Sequence, residues 1–247
     1  MYLVLFALLV FSTCHCLDNN EENQDPCGLL RQWIETSSMS VDLNKEGYHR
    51  ELTTTVELSP DAFSNVRVLL VYRWPRGVYV DPFQLASMSA QRDWQILLDS
   101  AIDLELPAHQ TSGFVTFVYP GLSKLTSGPL KVTIPVHGRY HMPSSDGEAF
   151  TFITIEAPEL LLRTETCTRL SSLEPHAVVN APCTVNNLTT CGWVQIQQNQ
   201  MIGPISFQIP VGDGSLVVPV CGGTLLITLI CCVALTKYMW KHRIVDA

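Results

Sequence analysis

Basic residues are scarce in this chain: 15 Lys and Arg stand against 23 Asp and Glu, for a net charge of −8. The C-terminal tail is itself basic, so the acidity falls on the rest of the chain and argues against nucleic acid or an anionic lipid surface as its partner. Catalytic signatures are missing as well. No G-x-S-x-G elbow, phosphate-cradling glycine loop, H-E-x-x-H or EF-hand loop occurs, and the Ser, Asp and His residues have no recognisable nucleophile setting. No C-x-x-C pair offers zinc a site. His137 and His141 stand four residues apart near Asp146 and Glu148, but on a strand such positions lie about 13 Å apart, too far for one metal. Internal repeats and low-complexity segments are absent, and helical periodicity is almost absent between the two ends. No cofactor is expected, and a role other than catalysis is left.

Two apolar runs mark those ends. Leu216–Thr236 (LVVPVCGGTLLITLICCVALT) extends for about 21 residues without a charge, enough at about 1.5 Å per helical residue to cross the hydrocarbon core. Pro219 and Gly222-Gly223 would weaken a soluble helix, but in lipid every unpaired backbone group is costly and the segment stays helical. Lys237, Lys241 and Arg243 follow the run, whereas Asp213 is the only charge in the GDGS before it. Positive residues stay cytoplasmic, so the large N-terminal part is expected in the lumen, with Tyr238 and Trp240 at headgroup level. The tail is too short to fold. At the other end, Leu3–Phe11 has the length of a signal-peptide core, and Cys14 and Cys16 occupy the positions a signal peptidase reads, predicting cleavage near Leu17. The expected organisation is a signal peptide over 1–16, a single lumenal β-rich domain over 17–215, a transmembrane helix over 216–236 and a cytoplasmic tail over 237–247.

Removing the signal and span cysteines leaves Cys27, Cys167, Cys183 and Cys191, which allow three pairings. Cys183 and Cys191 enclose a short loop holding the only glycosylation sequon, Asn187-Leu188-Thr189. A glycan needs an exposed loop, which favours Cys183–Cys191 as one bridge and Cys27–Cys167 as the other.

Between the ends, period-two alternation predominates. Strands are predicted over His49–Leu58, Asn65–Tyr72, Phe114–Tyr119, Leu130–Arg139, Phe150–Glu156, Trp193–Gln197 and Ile205–Val211, and around Ile102, Leu104 and Leu106, with a turn at Ser59-Pro60-Asp61. Leu29, Leu30, Trp33 and Ile34 are spaced for one short helical face, after which TSSMS ends the pattern, and Gln91–Leu98 is a second helical candidate. Short strands punctuated by Pro and Gly predict a mainly β fold: an antiparallel sandwich-like domain plus one C-terminal transmembrane helix. Within the span, Thr224, Thr228, Cys231 and Cys232 line one small, weakly polar face. Such a face suits contact with another transmembrane helix or, equally, threonines bonding back to their own carbonyls.

Gly77–Met88 (GVYVDPFQLASM) and Ile134–Pro143 (IPVHGRYHMP) carry a resemblance to the PIG-X family. It continues through Asp146–Ala149, APELLLR, Ala181-Pro182-Cys183 and Ile209–Gly212, covering most of the chain from about Tyr48 onward. The resemblance implies a non-catalytic, single-pass protein of the endoplasmic reticulum. It implies further that the protein binds and stabilises PIG-M, the multi-span catalytic subunit that adds the first mannose in glycosylphosphatidylinositol-anchor synthesis. His137, Arg139, Tyr140 and Pro143 of the second motif then become candidates to shape the domain or meet the partner, alongside Thr224 and Thr228 in the span. The alternative from layout alone is a cell-surface receptor or adhesion ectodomain, since the tail has no dilysine or KDEL-type signal.

Overall fold

The computed structural model describes residues 27–59, 62, 66–121, 128–167, 170–173, 175–197 and 203–242. The signal peptide, its cleavage point, the Pro60-Asp61 pair and Arg243 lie outside them. In chain order the elements are α1 (Gly28–Thr36), β1 (Ser38–Asn44), β2 (His49–Glu57), β3 (Arg67–Trp74), β4 (Val78–Tyr79), α2 (Pro82–Gln91), β5 (Trp94–Leu98), β6 (Phe114–Pro120), β7 (Leu130–Gly138), β8 (Phe150–Ile155), β9 (Glu159–Arg163), β10 (Val178–Pro182), β11 (Thr190–Gln195), β12 (Ile205–Pro210) and α3 (Val217–His242).

The strands form three antiparallel sheets, in the orders β1-β2-β7-β4, β10-β11-β9-β3-β6-β5 and β12-β8. The mainly β class is therefore as the alternation predicts, and the uncharged C-terminal run forms an apolar helix long enough to cross a membrane. One core joins the sheets. Leu52 and Val56 of β2, Leu70 and Tyr72 of β3, Ile134 and Val136 of β7, Ile153 of β8 and Ile209 of β12 all enter the same apolar cluster. Across it, the Tyr72 hydroxyl donates to Thr54 Oγ1 at 2.9 Å, tying the six-stranded sheet to the four-stranded one. Burial drives the tyrosine hydroxyl's pKa well above its usual value, so it stays a neutral donor. Val68–Tyr72 of β3 is an unbroken apolar run because both its faces are covered. Val68, Leu70, Tyr72 and Trp74 point into the shared core, while Leu69 and Val71 pack with Leu161 and Trp193 on the other side.

The helix at the start buries Leu30, Trp33 and Ile34 and leaves Leu29 51% exposed, so the apolar face is narrower than its sequence spacing. Cys27, just before it, is bridged to Cys167 beyond β9. That crosslink spans 140 residues and stabilises by about 5 kcal/mol on the chain-entropy account, against about 2.5 kcal/mol for the Cys183–Cys191 bridge, whose separation is 8.

Two local expectations fail. The Ile102–Leu106 segment is not a strand: Asp103 Oδ1 accepts from the backbone nitrogens of Glu105 and Leu106, folding the chain into a turn before Pro107. Gln91–Leu98 is not a helix. The helix precedes it, with Asp81 capping the nitrogen of Phe83 and Pro82 in the first turn, and Trp94–Leu98 is an edge strand paired with β6. TSSMS does end the helix, at Thr36, but the sequence pattern gives no sign that Ser38–Asn44 then adds to β2 as an edge strand whose side chains alternate between exposed and half-buried. β9 and β10 also escape the sequence pattern. ELLLR is too short and too continuously apolar to alternate, and VVNAP is interrupted by polar and proline residues.

Candidate functional site

The PVHGRYHMP motif begins in β7 and leaves it at Gly138, placing successive side chains in different surroundings. His137 is opposite His49 in the β2–β7 register. Their Nδ1 atoms lie 2.7 Å apart, and His137 Nε2 is 3.0 Å from Gln84 Oε1 of α2. Donation from His137 Nε2–H to that carbonyl leaves its Nδ1 as the acceptor for His49 Nδ1–H. Tyr79 stacks on the His137 ring at 4.9 Å. Burial, then the neighbouring His49, lower the pKa of His137, with Asp81 opposing them.

Arg139 is only 4% exposed. Its backbone nitrogen donates to Gly77, its Nε to the carbonyl of Val78 at 3.3 Å and its Nη1 to the carbonyl of Leu106 at 2.7 Å. The guanidinium lies 5.0 Å from the centre of the Tyr79 ring. Burial lowers its pKa, while Tyr79 and Asp103 raise it. Among the described residues it has no ion pair. The planar donor fork thus joins three segments distant in sequence: the end of β7, the short strand β4 and the turn before Pro107.

Tyr140 points away from that core and is 74% exposed, its ring 5.3 Å from that of Tyr48. His141 donates its Nδ1–H to the Arg139 carbonyl at 3.0 Å. With Arg76, His109, Met142, Phe150 and Val211 it lines a cleft of about 380 Å³. Pro143 is exposed and lies against Gly212. Beside it, Ser144 donates to the Gly212 carbonyl and accepts from the nitrogen of Gly214, both at 2.8 Å. Gly214 begins the short turn that enters α3. The motif is thereby fastened to the connector into the span, a long-range pairing with no periodic or turn signal in the sequence.

α3 has 26 residues, about 39 Å of helix, and none of its apolar window is buried against the domain. Thr224 Oγ1 donates to the carbonyls of Val220 and Cys221, and Thr228 Oγ1 to that of Thr224. Both hydroxyls therefore bond within their own helix. Cys221, Cys231 and Cys232 are free thiols on the same exposed helix.

Asn187 is exposed on the loop closed by Cys183–Cys191. Its Oδ1 accepts from the nitrogen of Thr189 at 3.0 Å and its own nitrogen donates to Thr184 Oγ1, so the loop holds the sequon outward. His137, Arg139, Tyr140 and Pro143 gather at one end of the domain, whereas Asn187 and the two span threonines lie on other elements. Sequence reasoning singles out Arg139 but misses Leu106, whose carbonyl anchors it, and Gln84, which orients His137. The Asp81-Pro82 helix start was the available signal for the latter.

A sequence model of the family described as PIG-X / PBN1 matches residues 45–240. A human protein named GPI alpha-1,4-mannosyltransferase I, stabilizing subunit, is 29% identical over 202 residues, covering 80% of this chain and 78% of its own length. The rat protein of the same name is 27% identical over 202 residues, with 80% and 79% covered. Among solved structures, the major pilin subunit BcpA of Bacillus cereus aligns over 71% of this chain and 56% of the pilin, at 7% identity and a TM-score of 0.30, too weak a likeness to bear on fold or role.

Proposed function

This chain belongs to the PIG-X / PBN1 family, and we propose that it is the non-catalytic, stabilising subunit of glycosylphosphatidylinositol mannosyltransferase I. In this reading it binds the multi-span catalytic subunit PIG-M in the endoplasmic reticulum membrane and keeps it folded while that subunit transfers the first mannose. The observation that carries the reading is the length of the family match, which spans both the β domain and the helix, together with relatives whose names state the stabilising role.

The residues support a division of labour. Arg139 and His137 are engaged inside the domain and hold its membrane-proximal end in shape, while Tyr140 and Pro143 are exposed beside the connector to the span and are offered to the partner. In the span, the small face of Thr224 and Thr228 allows a second helix to approach closely, its threonine donors already satisfied internally. The topology proposed is type I. Residues 17–215 are lumenal after removal of 1–16, residues 216–236 span the bilayer, residues 237–247 are cytosolic, and Asn187 carries a glycan.

The test is depletion of the chain from cells, followed by immunoblotting for the catalytic subunit and by re-expression of wild-type or Tyr140→Ala protein. The reading expects the catalytic subunit to fall with depletion and to recover with the wild type but only in part with the variant. An unchanged level of catalytic subunit after depletion contradicts it.

A further inference from the structure

The β8–β12 ribbon presents an outer face formed by Phe150, Phe152 and Thr154 on one strand and Ser206, Gln208 and Pro210 on the other. None of the six is charged. Phe150 is 52% and Phe152 69% exposed, while Ile153, Ile155, Phe207 and Ile209 turn inward to the core. Registration sets Phe150 against Pro210 and Phe152 against Gln208.

The ribbon leads directly to the bilayer. Five residues, Val211–Ser215, separate Pro210 from Leu216, at most about 20 Å of chain. The connector is also held in place: Val211 donates to the Ala149 carbonyl, Ser144 pairs with Gly212 and Gly214, and Asp213 Oδ1 accepts from the nitrogen of Ser215. Aromatic side chains mark where membrane-spanning segments leave the hydrocarbon. At the C-terminal end of α3 that role falls to Tyr238 and Trp240, exposed by 57% and 83%. At its N-terminal end the helix and connector, Val211–Val220, contain no aromatic residue. Phe150 and Phe152 are the exposed aromatics of the strand pair continuous with that end.

We propose that the outer face of the β8–β12 ribbon docks on the bilayer itself, with Phe150 and Phe152 entering the interfacial region of the leaflet from which α3 emerges. The occupant is a zwitterionic phospholipid surface, as suits a face with no charge in an acidic domain. Docking fixes the domain's tilt and supplies the aromatic belt that the near end of the helix lacks. The site depends on the span alone, so it stands or falls separately from the identity of any protein partner.

The experiment uses the full chain, with Cys221, Cys231 and Cys232 replaced by serine and single cysteines introduced as Phe150→Cys, Phe152→Cys and Thr154→Cys. Each is labelled with an environment-sensitive fluorophore in phosphatidylcholine nanodiscs, with and without shallow nitroxide-labelled lipid. Consecutive residues on one strand face are about 7 Å apart, so quenching should be strongest at 150, weaker at 152 and weakest at 154, with blue-shifted emission at the first two. Far-ultraviolet circular dichroism identifies any variant that fails to fold, and Phe150→Trp and Phe152→Trp, read as quenching by brominated lipid in excess of the parent protein, replace it. Water-like emission without quenching at all three positions overturns the proposal. So does emission that shifts only when the catalytic subunit is added, which assigns the face to protein contact instead.

Discussion

Arg139 Nη1 donates to the Leu106 carbonyl at 2.7 Å from a side chain that is only 4% exposed. Among the described residues Arg139 makes no ion pair, and the charge is tolerated because carbonyl dipoles, the Tyr79 ring and the nearby charge of Asp103 take the place of water. Arg139 therefore acts on the shape of the domain end that is fastened to the connector into α3.

Replacing Arg139 by alanine should destabilise the domain by about 3 kcal/mol, because charge-assisted bonds contribute on the order of 1.5–3 kcal/mol each and the carbonyls are left unpaired. Lysine should recover only part of the loss, since one ammonium cannot reproduce a fork directed at both Val78 and Leu106. Urea unfolding of the purified protein measures both. An alanine variant within 0.5 kcal/mol of wild type, a margin typical of surface substitutions, is incompatible with this role.

The two disulfides should differ in weight. Converting Cys27 and Cys167 together to serine ought to cost about twice as much stability as converting Cys183 and Cys191, following the loop separations of 140 and 8 residues. The first pair also fastens α1, with Leu30, Trp33 and Ile34, to the rest of the core. Midpoints of chemical denaturation for the two double variants decide the order, and equal losses would remove the argument.

The histidine pair makes stability depend on pH with a definite sign. His137 has a folded pKa below its ordinary value of 6.5, so between that value and the folded one the unfolded chain binds more protons. The stability contributed by neutral His137 is present above about pH 6.5 and is lost as pH falls through the folded value. Protonation also turns its Nδ1 into a donor facing the donor of His49. Thermal unfolding should thus shift downward between pH 7 and pH 5, and His137→Gln should flatten that slope. A variant with an unchanged slope assigns the dependence elsewhere.

Asn187 should carry a glycan that remains sensitive to endoglycosidase H, the signature of residence in the endoplasmic reticulum. The mobility shift on digestion should disappear in Asn187→Gln, and the glycosylated fragment should survive protease added to sealed microsomes. Resistance to the enzyme in mature protein would favour a cell-surface ectodomain.

Much of this architecture is visible in the residues because its signals are local. Phe114–Pro120 alternates between buried and half-buried positions along its whole length, and Leu216–Thr236 needs only hydropathy and length to be recognised. What escapes depends on distant partners. Ser38–Asn44 becomes a strand because β2 lies beside it, and Ile102–Leu106 leaves the strand pattern because an Asp103 cap and Arg139 claim its backbone groups. Arg139 stands out in the sequence as part of a motif, but its burial and its role as a tie depend on a carbonyl 33 residues away. The fastening of Ser144 to Gly212 and Gly214 depends likewise on a contact across the whole C-terminal half of the domain.

The central claim, that this chain sustains a catalytic partner rather than performing or directing the chemistry, is tested most directly in microsomes from cells expressing Arg139→Ala in place of the wild type. The abundance of the mannosyltransferase catalytic subunit is measured by immunoblot, beside mannose transfer from dolichol-phosphate mannose per unit of that subunit. A loss of order 3 kcal/mol is enough to depopulate an assembly severalfold. The account predicts a severalfold fall in abundance with transfer per surviving catalytic subunit close to normal. Normal abundance with transfer lost would contradict it and place this chain in the reaction itself.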